Sequence, residues 1–527
     1  MLPSSDELSQ CLKQAVETGN KENYNKFIII LQTASCNDGT LHSYLQSLRH
    51  SVSLMNFRHH AELFQFLFKI SSVDCDDDTW IVYSQLMVDI VLTHPQNAIE
   101  VLICRLRTLK TLDSHASFSR RTGHLLNLLC EKSQVCARNF VKSLQRSAPY
   151  ITLEGDVHLN YCTHLFNIAS KHLKPFRTDI YLTVFDHIIK YDLHTYNVFR
   201  KCASDPNVDG AIFELESPTN EVVQIFDSLM CLCFEFLKKQ YTKNPKQIYK
   251  FSLILFDMLF LTSHATVHSS YILFYLYSLD AEFIEDFLDY LWRKFRSHSS
   301  TQFEKQMAIN YIAGFLSNAA YIPVESKQKR MCIIADWIQS YIRLREPLDN
   351  SYHAALYSMF YFTCQALMYI FNNTYWQFLD SSDCSAFFKQ LHFEQMIHSL
   401  LNPLKHCLKS IVNTFASLTR MYQAAFCYNI IEVNNRNAFH YSESAMNDQD
   451  RNRLSISQEN TFYPFEPYLL SKSAQYINGL YLEKPVLRTN SISENSDDEA
   501  HIYGRTSDSI VGLIQDSEML SLSPHIS

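Results

Sequence analysis

The chain has 527 residues, 47% of them hydrophobic, and a net charge of -8. It has enough apolar material for several cores or one long array, and no global attraction to nucleic acid. With 9 glycines and 14 prolines, it lacks the turn formers of a sheet protein and the glycine-rich loops that cradle phosphates. Residues 1–25 are polar and read as a flexible leader with a short helix. Its acidic start, MLPSSDELSQCLKQ, has no apolar core of a signal peptide, so the chain reads as intracellular. From Lys26 to Arg436 the apolar residues recur at helical spacing, in helices of roughly 12 to 18 residues joined by short polar turns. Such pairs, at roughly 40 residues per unit, predict an all-α fold: a HEAT-like helical repeat solenoid.

Within that array KFIIILQ, LHSYLQSLRHSV and AELFQFLFKI are the first helices. Asp78 or Thr79 is placed to cap the next one, and Pro95 to open its partner. His59 and His60 read as a polar surface. Between Phe199 and Glu221 a stretch with Asp205-Pro206 and Ser217-Pro218 reads as a surface loop. The centre of the array is Met307–Phe378. There Ala308, Ile312, Phe315, Leu316 and Ala319 make one helical face, and Leu356, Met359, Phe360, Thr363, Leu367, Ile370 and Phe371 make another. Ala354 to Phe371 carries no charge, which sits at the lower limit for a membrane span. Without basic flanks, a buried central helix accounts for it better. Trp80, Trp292, Trp337 and Trp376 fall in helical patterns and read as core.

After Arg436 the period stops. Residues 437–460 read as a disordered loop. Residues 461–484, rich in Phe462, Tyr463, Phe465, Tyr468 and Tyr476, read as a hydrophobic segment packing back on the array. Residues 485–527 read as a disordered, serine-rich acidic tail.

No nucleotide-binding, nucleophile-elbow or zinc-protease motif is present in the sequence, so no enzyme, cofactor or metal site is expected. The 15 cysteines contain no CxxC pair and read as reduced, buried thiols. One stretch differs from its surroundings. Between Lys110 and Ser147, Ser114, Ser117, Ser119, Ser133, Ser143 and Ser147 alternate with Arg120, Arg121, Lys132, Arg138, Lys142 and Arg146. It reads either as a solvated face or as a docking patch for an acidic partner, switched by phosphorylation. Candidate phosphoacceptors are Ser117, Ser119 and Ser133 in this stretch, Ser217 before Pro218, Ser493 and Ser496 beside acids, and Ser523 before Pro524.

Several strings carry a family resemblance. They include LFDMLFLTSHATVHSSYILFYLYSL, NYIAGFLSNAAYIP, YSMFYFTCQALMYIF, LNPLKHCL, FCYNIIEVNNR and YPFEPYLL, in that order between Leu255 and Leu470. Together they resemble the TIF-IA family of RNA polymerase I-specific transcription initiation factors. The resemblance implies a non-enzymatic HEAT-repeat bridge of the nucleus and nucleolus. Such a factor binds RNA polymerase I near its stalk and dock region, links it to the promoter-bound core or selectivity factor, and is tuned by protein kinases. It also implies a serine patch facing the polymerase in the N-terminal half, for which Ser114 to Ser147 is the nearest candidate. The chain departs from many members in lacking a long acidic insertion near the second or third repeat, and in its short tail. At net charge -8 it is not expected to read DNA sequence directly or to bind a membrane. A nuclear transport or trafficking scaffold of karyopherin type is the rival reading at this point.

Overall fold

The computed structural model describes residues 5–17, 22–33, 39–71, 75–110, 116–153, 155–203, 221–262, 268–345, 354–379, 384–443, 463–465 and 467–483. Among them the regular elements are helices, apart from one isolated antiparallel bridge between Ala319 and Tyr481. The chain divides into two compact units, Met1–Tyr191 with Asn220–Leu232, and Asp192–Thr219 with Cys233–Ser527.

The first unit opens with α1 (Ser5–Glu17), α2 (Glu22–Thr33), α3 (Thr40–His50) and α4 (Ala61–Lys69). It continues with α5 (Asp77–Thr93), α6 (Ala98–Arg107), α7 (Ala116–Lys132), α8 (Gln134–Ser147) and α9 (Gly155–Lys171). Two layers result. The helices α1, α3, α5, α7 and α9 pack each on the next in one, and α2, α4, α6 and α8 do so in the other. Each helix therefore buries apolar surface against the helix two places on, and several also against a sequence neighbour, which is how a HEAT-like repeat builds a continuous core.

The described part of the first 25 residues, 5–17 and 22–25, is helical and packed rather than a flexible leader. Leu8, Leu12 and Ala15, at i, i+4 and i+7, are buried on α1, and Tyr24 is buried on α2 with its hydroxyl accepting from Leu63 N at 3.3 Å. His60 belongs to the same contact. Its Nδ1 accepts from Asn56 N at 2.9 Å and its Nε2 faces Leu12 O at 3.3 Å, so this side chain is interior and only His59 is exposed. The cap of α5 falls on Asp76, which accepts from Thr79 N, rather than on Asp78 or Thr79. At the other end of this unit, α9 begins on Gly155, where a Cβ would stand 2.1 Å from Ile225 at the start of α11 (Glu221–Lys243). Glycine there permits the close approach.

The second unit is built on α12 (Pro245–Leu255), α13 (Tyr271–Ser278), α14 (Ala281–Arg296), α15 (Gln302–Asn318), α16 (Val324–Arg345) and α17 (Ser358–Thr374). Before α13, the buried carboxylate of Asp192, in the middle of α10 (Arg177–Ala203), accepts from Ser269 N at 2.8 Å and Ser269 Oγ at 2.7 Å. A capping box of Thr301 and Glu304 starts α15. Residues Gln306 to Asn318 of α15 are all buried, as are Phe360 to Met368 of α17, and the two helices pack on each other. They are covered all round by protein, which is why their sequences show little polarity. No single helix among the described residues is long and apolar enough to cross a membrane. Short helices α18 (Cys384–Gln390), α19 (Phe393–Ile397) and α20 (Pro403–His406) lead to α21 (Lys409–Met421), packed on α17, and to α22 (Tyr428–Glu443).

Helix α22 carries seven residues, Asn437 to Glu443, of the stretch expected to be disordered; residues 444–460 and 484–527 lie outside the described residues. The hydrophobic segment crosses α15 at Gly314, where a Cβ would lie 2.7 Å from Pro464 Cγ. Phe465 enters the aromatic cluster of Tyr271, Phe274, Tyr311 and Phe315. Tyr463 stacks on Tyr369 at 4.0 Å and accepts a bond from Gln365 Nε2 at 3.3 Å. Beyond α23 (Ala474–Ile477), Leu482 N donates to Asn318 O at 2.7 Å and Ala320 N to Leu480 O at 2.9 Å. Of the four tryptophans, only Trp80 is fully buried; Trp292, Trp337 and Trp376 are half-buried, because each sits at the edge of its helix's apolar stripe.

Candidate docking surface

Apart from Ser114, the serine and basic residues singled out between Lys110 and Ser147 lie on α7 and α8 or at the cap between them, and the helix period divides them into two sets. On α7, Phe118, Ser119, Thr122, Leu125, Leu126 and Leu129 share the inward stripe and are buried. Ser119 is hydrogen-bonded to Nδ1 of His164 on α9 at 2.6 Å, with the His164 ring 4.9 Å from that of Phe118. Ser133 is buried as the N-cap of α8, its hydroxyl accepting from Cys136 N. Ser143 and Ser147 lie on the buried stripe of α8 with Phe140 and Leu144. Ser119 and Ser133 are therefore parts of the interior and of a helix terminus, not of a docking face. A kinase reaches neither without local unfolding.

The outward set is basic. Arg138, Lys142 and Arg146 follow one another at i, i+4 and i+8 on α8 and are all exposed, as are Ser117 and Arg120 on α7. Among the described residues no carboxylate comes within ion-pair distance of Arg138, Lys142 or Arg146. Arg121 differs. Its guanidinium is held to Asp77 Oδ1 at 2.7 Å and donates to Cys75 O at 2.7 Å, so it ties α7 to the start of α5. Ser114 lies outside the described residues, as do Ser217, Ser493, Ser496 and Ser523.

Around α7 to α9, burial and neighbouring basic groups hold several bases in the neutral direction. Burial, followed by His124, Lys171 and Arg120, holds His172 below its usual range. Burial, and then Arg107, does the same to Lys110. His187 is pushed down to about 3 by burial first, and then by His158, Lys190 and Lys110. Next to the basic row stands a group that the reading of the sequence missed. Tyr150, 79% exposed, follows Arg146 by four residues, in a turn that Lys110 Nζ ties down through Ala148 O at 3.2 Å. The run Ala148-Pro149-Tyr150, directly after a helix end, was the available signal. Among the described residues no group of three metal-ligand side chains gathers anywhere.

This surface belongs to a chain matched over nearly all of its described length. The family described as RNA polymerase I specific transcription initiation factor RRN3 matches residues 4–211 and 200–484. The chain belongs to that family. Among its RRN3-family relatives, the chain is similar to the RNA polymerase I-specific transcription initiation factor RRN3 of Mus musculus. The identity is 31% over 278 residues, which cover 51% of this chain and 42% of the relative. The factor rrn3 of Schizosaccharomyces pombe is 24% identical over 277 residues, 50% of this chain and 44% of the relative. The factor RRN3 of Saccharomyces cerevisiae is 22% identical over 308 residues, 54% and 49% respectively. The chain thus spans somewhat under half the length of these curated relatives. The crystal structure of RNA polymerase I transcription initiation factor Rrn3 superimposes with a TM-score of 0.67 at 17% identity, covering 91% of this chain and 98% of that one. At that identity it shows the fold: an all-helical RRN3 array.

Proposed function

We propose that the chain is an RNA polymerase I-specific transcription initiation factor. It binds RNA polymerase I and bridges it to the promoter-bound core or selectivity factor, without catalytic chemistry of its own, in the nucleus and nucleolus. The observation that carries this reading is the family match across residues 4–211 and 200–484. It favours transcription over the transport-scaffold reading. A helical repeat suits a bridge, since it offers separate long surfaces to two partners without one dominating pocket.

The polymerase-facing surface in this reading is the outward side of α7 and α8, with Arg120, Arg138, Lys142 and Arg146 meeting an acidic face and Tyr150 as its apolar anchor. Ser117, exposed in the first turn of α7, is the described phosphoacceptor that remains there. One phosphoryl group adds about -1.5 to -2 charges and cancels much of the local attraction. Ser114, Ser217, Ser493, Ser496 and Ser523 stay candidates for protein kinases on sequence grounds. Affinity purification of the tagged chain from nuclear extract tests the reading. Co-purification of RNA polymerase I subunits together with core-factor subunits is the expected result. Recovery of neither, with the chain folded by circular dichroism, would overturn it.

A further inference from the structure

Five aromatic rings form an unbroken ladder across α14, α16 and α17. Trp292 stacks on Phe295 at 5.1 Å between centroids, and Phe295 meets Trp337 edge-on at 5.0 Å. Trp337 lies 5.2 Å from Tyr341, which stacks on Phe360 at 5.4 Å. Phe295 and Phe360 are buried, whereas Trp292, Trp337 and Tyr341 are half exposed. The ladder continues into open apolar surface. Leu344, one turn past Tyr341, and Leu356, one turn before Phe360, are each 70% exposed. Two exposed leucines within a turn of these half-open rings form an apolar surface of the kind that proteins tend to cover.

Two exposed arginines stand at its edge. Arg296 is exposed one turn past Trp292, and Arg345 one turn past Tyr341. Arg345 is near enough to the Tyr341 phenol to oppose the upward push that burial gives it. Two acids of α14, Glu285 and Asp289, are engaged elsewhere, both accepting from the guanidinium of Arg330. The patch therefore calls for an occupant with apolar anchors flanked by carboxylates.

We propose that the occupant is the chain's own C-terminal segment, Ile510–Leu522. Its sequence, IVGLIQDSEMLSL, sets Ile510, Leu513 and Ile514 at helical spacing, followed by Met519, Leu520 and Leu522. Asp508, Asp516 and Glu518 flank these anchors, and no Lys or Arg follows Arg505. Apolar anchors between carboxylates are the complement of an apolar ladder between arginines. The reach suffices. The described chain ends at Glu483, beside Asn318 of α15. A coil of about 27 residues from there to Ile510 spans about 28 Å on average. The 22 residues of α16 measure about 33 Å. The ladder is thus an internal docking site that a partner of the same apolar and acidic pattern must displace.

The test places a photoreactive benzoylphenylalanine at the exposed position Leu344 of the full chain. An equal mixture of 15N-labelled and unlabelled chains is irradiated and the cross-linked peptides are read by mass spectrometry. Cross-links from position 344 into residues 510–522, in pairs of uniform isotope, are expected. Their yield should fall about tenfold with Leu513→Asp plus Ile514→Asp, and also with Arg345→Glu. The tail substitutions leave the ladder itself untouched, so loss of signal there is not misfolding. Absence of cross-links to 510–522, yields indifferent to the tail substitutions, or mixed-isotope pairs that join two copies would each overturn the assignment.

Discussion

The hydroxyl of Ser119 stands 2.6 Å from Nδ1 of His164, both side chains being buried between α7 and α9. A serine two residues away, Ser117, is exposed. The helix period separates an interior hydrogen-bonding group from a surface phosphoacceptor, although both lie in one serine-rich and basic run.

Substitution distinguishes their roles. Ser119→Ala removes a buried partner of His164 and should cost about 1 kcal/mol. Ser119→Asp puts a carboxylate into the core and should cost about 3 kcal/mol or more. Ser117→Asp, in the first turn of a helix, should stay within about 0.5 kcal/mol. Urea unfolding of the three variants checks this. Equal stability for both aspartate variants would place Ser119 at the surface.

Lys327 supplies a prediction in pH. It is fully buried in α16, with Gln377 Oε1 at 3.1 Å, and burial pushes its ammonium from 10.5 down to about 8. The folded value lies below the unfolded one, so the unfolded state binds more protons between them. Below pH 8 the buried charge therefore opposes folding fully, and the penalty is relieved as pH rises from about 8 towards 10.5. Lys327→Met, similar in volume and uncharged, should be more stable than the wild type by about 3 kcal/mol at pH 7, less the lost bond to Gln377. That advantage should shrink steadily up to pH 10. Denaturant unfolding of both proteins across that range reads it, and a pH-independent difference would mean that the amine is already solvated.

Much of this architecture was legible in the sequence. The charge-free run around Phe360 and the buried run around Phe315 marked a central pair of helices. The scarcity of glycine and proline excluded sheets. The strings NYIAGFLSNAAYIP and YSMFYFTCQALMYIF lie on those two helices, whereas FCYNIIEVNNR is largely at the surface. What misled was composition where period decides. Leu8, Leu12 and Ala15 sit among polar residues, so α1 looked like a leader, although three apolar residues at i, i+4 and i+7 suffice to dock a helix. Ser119 and Ser133 counted as surface by residue type, yet Ser119 lies on the stripe of Thr122, Leu126 and Leu129, and Ser133 closes the turn before α8. The contacts of His60 with Leu12 and of Tyr463 with Tyr369 join residues far apart in the chain, and no local pattern announces such pairs.

The basic row on α8 predicts a graded loss of binding. Arg138→Glu with Lys142→Glu and Arg146→Glu reverses three charges on an exposed face. It should weaken RNA polymerase I capture on the order of tenfold at low salt, with a smaller effect at high salt as screening removes the attraction. Tyr150→Ala should weaken capture by about 1–2 kcal/mol at every salt concentration, since its contribution is burial. Pull-down of purified polymerase across a salt series separates the two. Full retention of binding by the charge-reversed protein would move the docking surface off α8.

The seat of the hydrophobic segment around Pro464 rests on Gly314. A Cβ there would meet Pro464 Cγ at 2.7 Å, Pro464 O at 2.9 Å and Pro464 Cδ at 3.0 Å. None of these atoms belongs to a flexible side chain, so the segment itself has to move. Gly314→Ala gains about 1 kcal/mol of helix propensity, but overpacking of this contact costs about 1–3 kcal/mol. The stacking of Tyr463 on Tyr369 and the insertion of Phe465 beside Phe315 weaken as Pro464 is lifted. The prediction is local release: helix content stays at the wild-type value while trypsin cuts after Lys472, which lies in the exposed turn before α23, several times faster. Gly314→Val should act more strongly in the same direction, because its second branch adds volume and β-branching disfavours the helix. Cleavage after Lys472 at the wild-type rate in both variants, with unchanged melting temperature, would show that the segment is not held against α15 at this glycine.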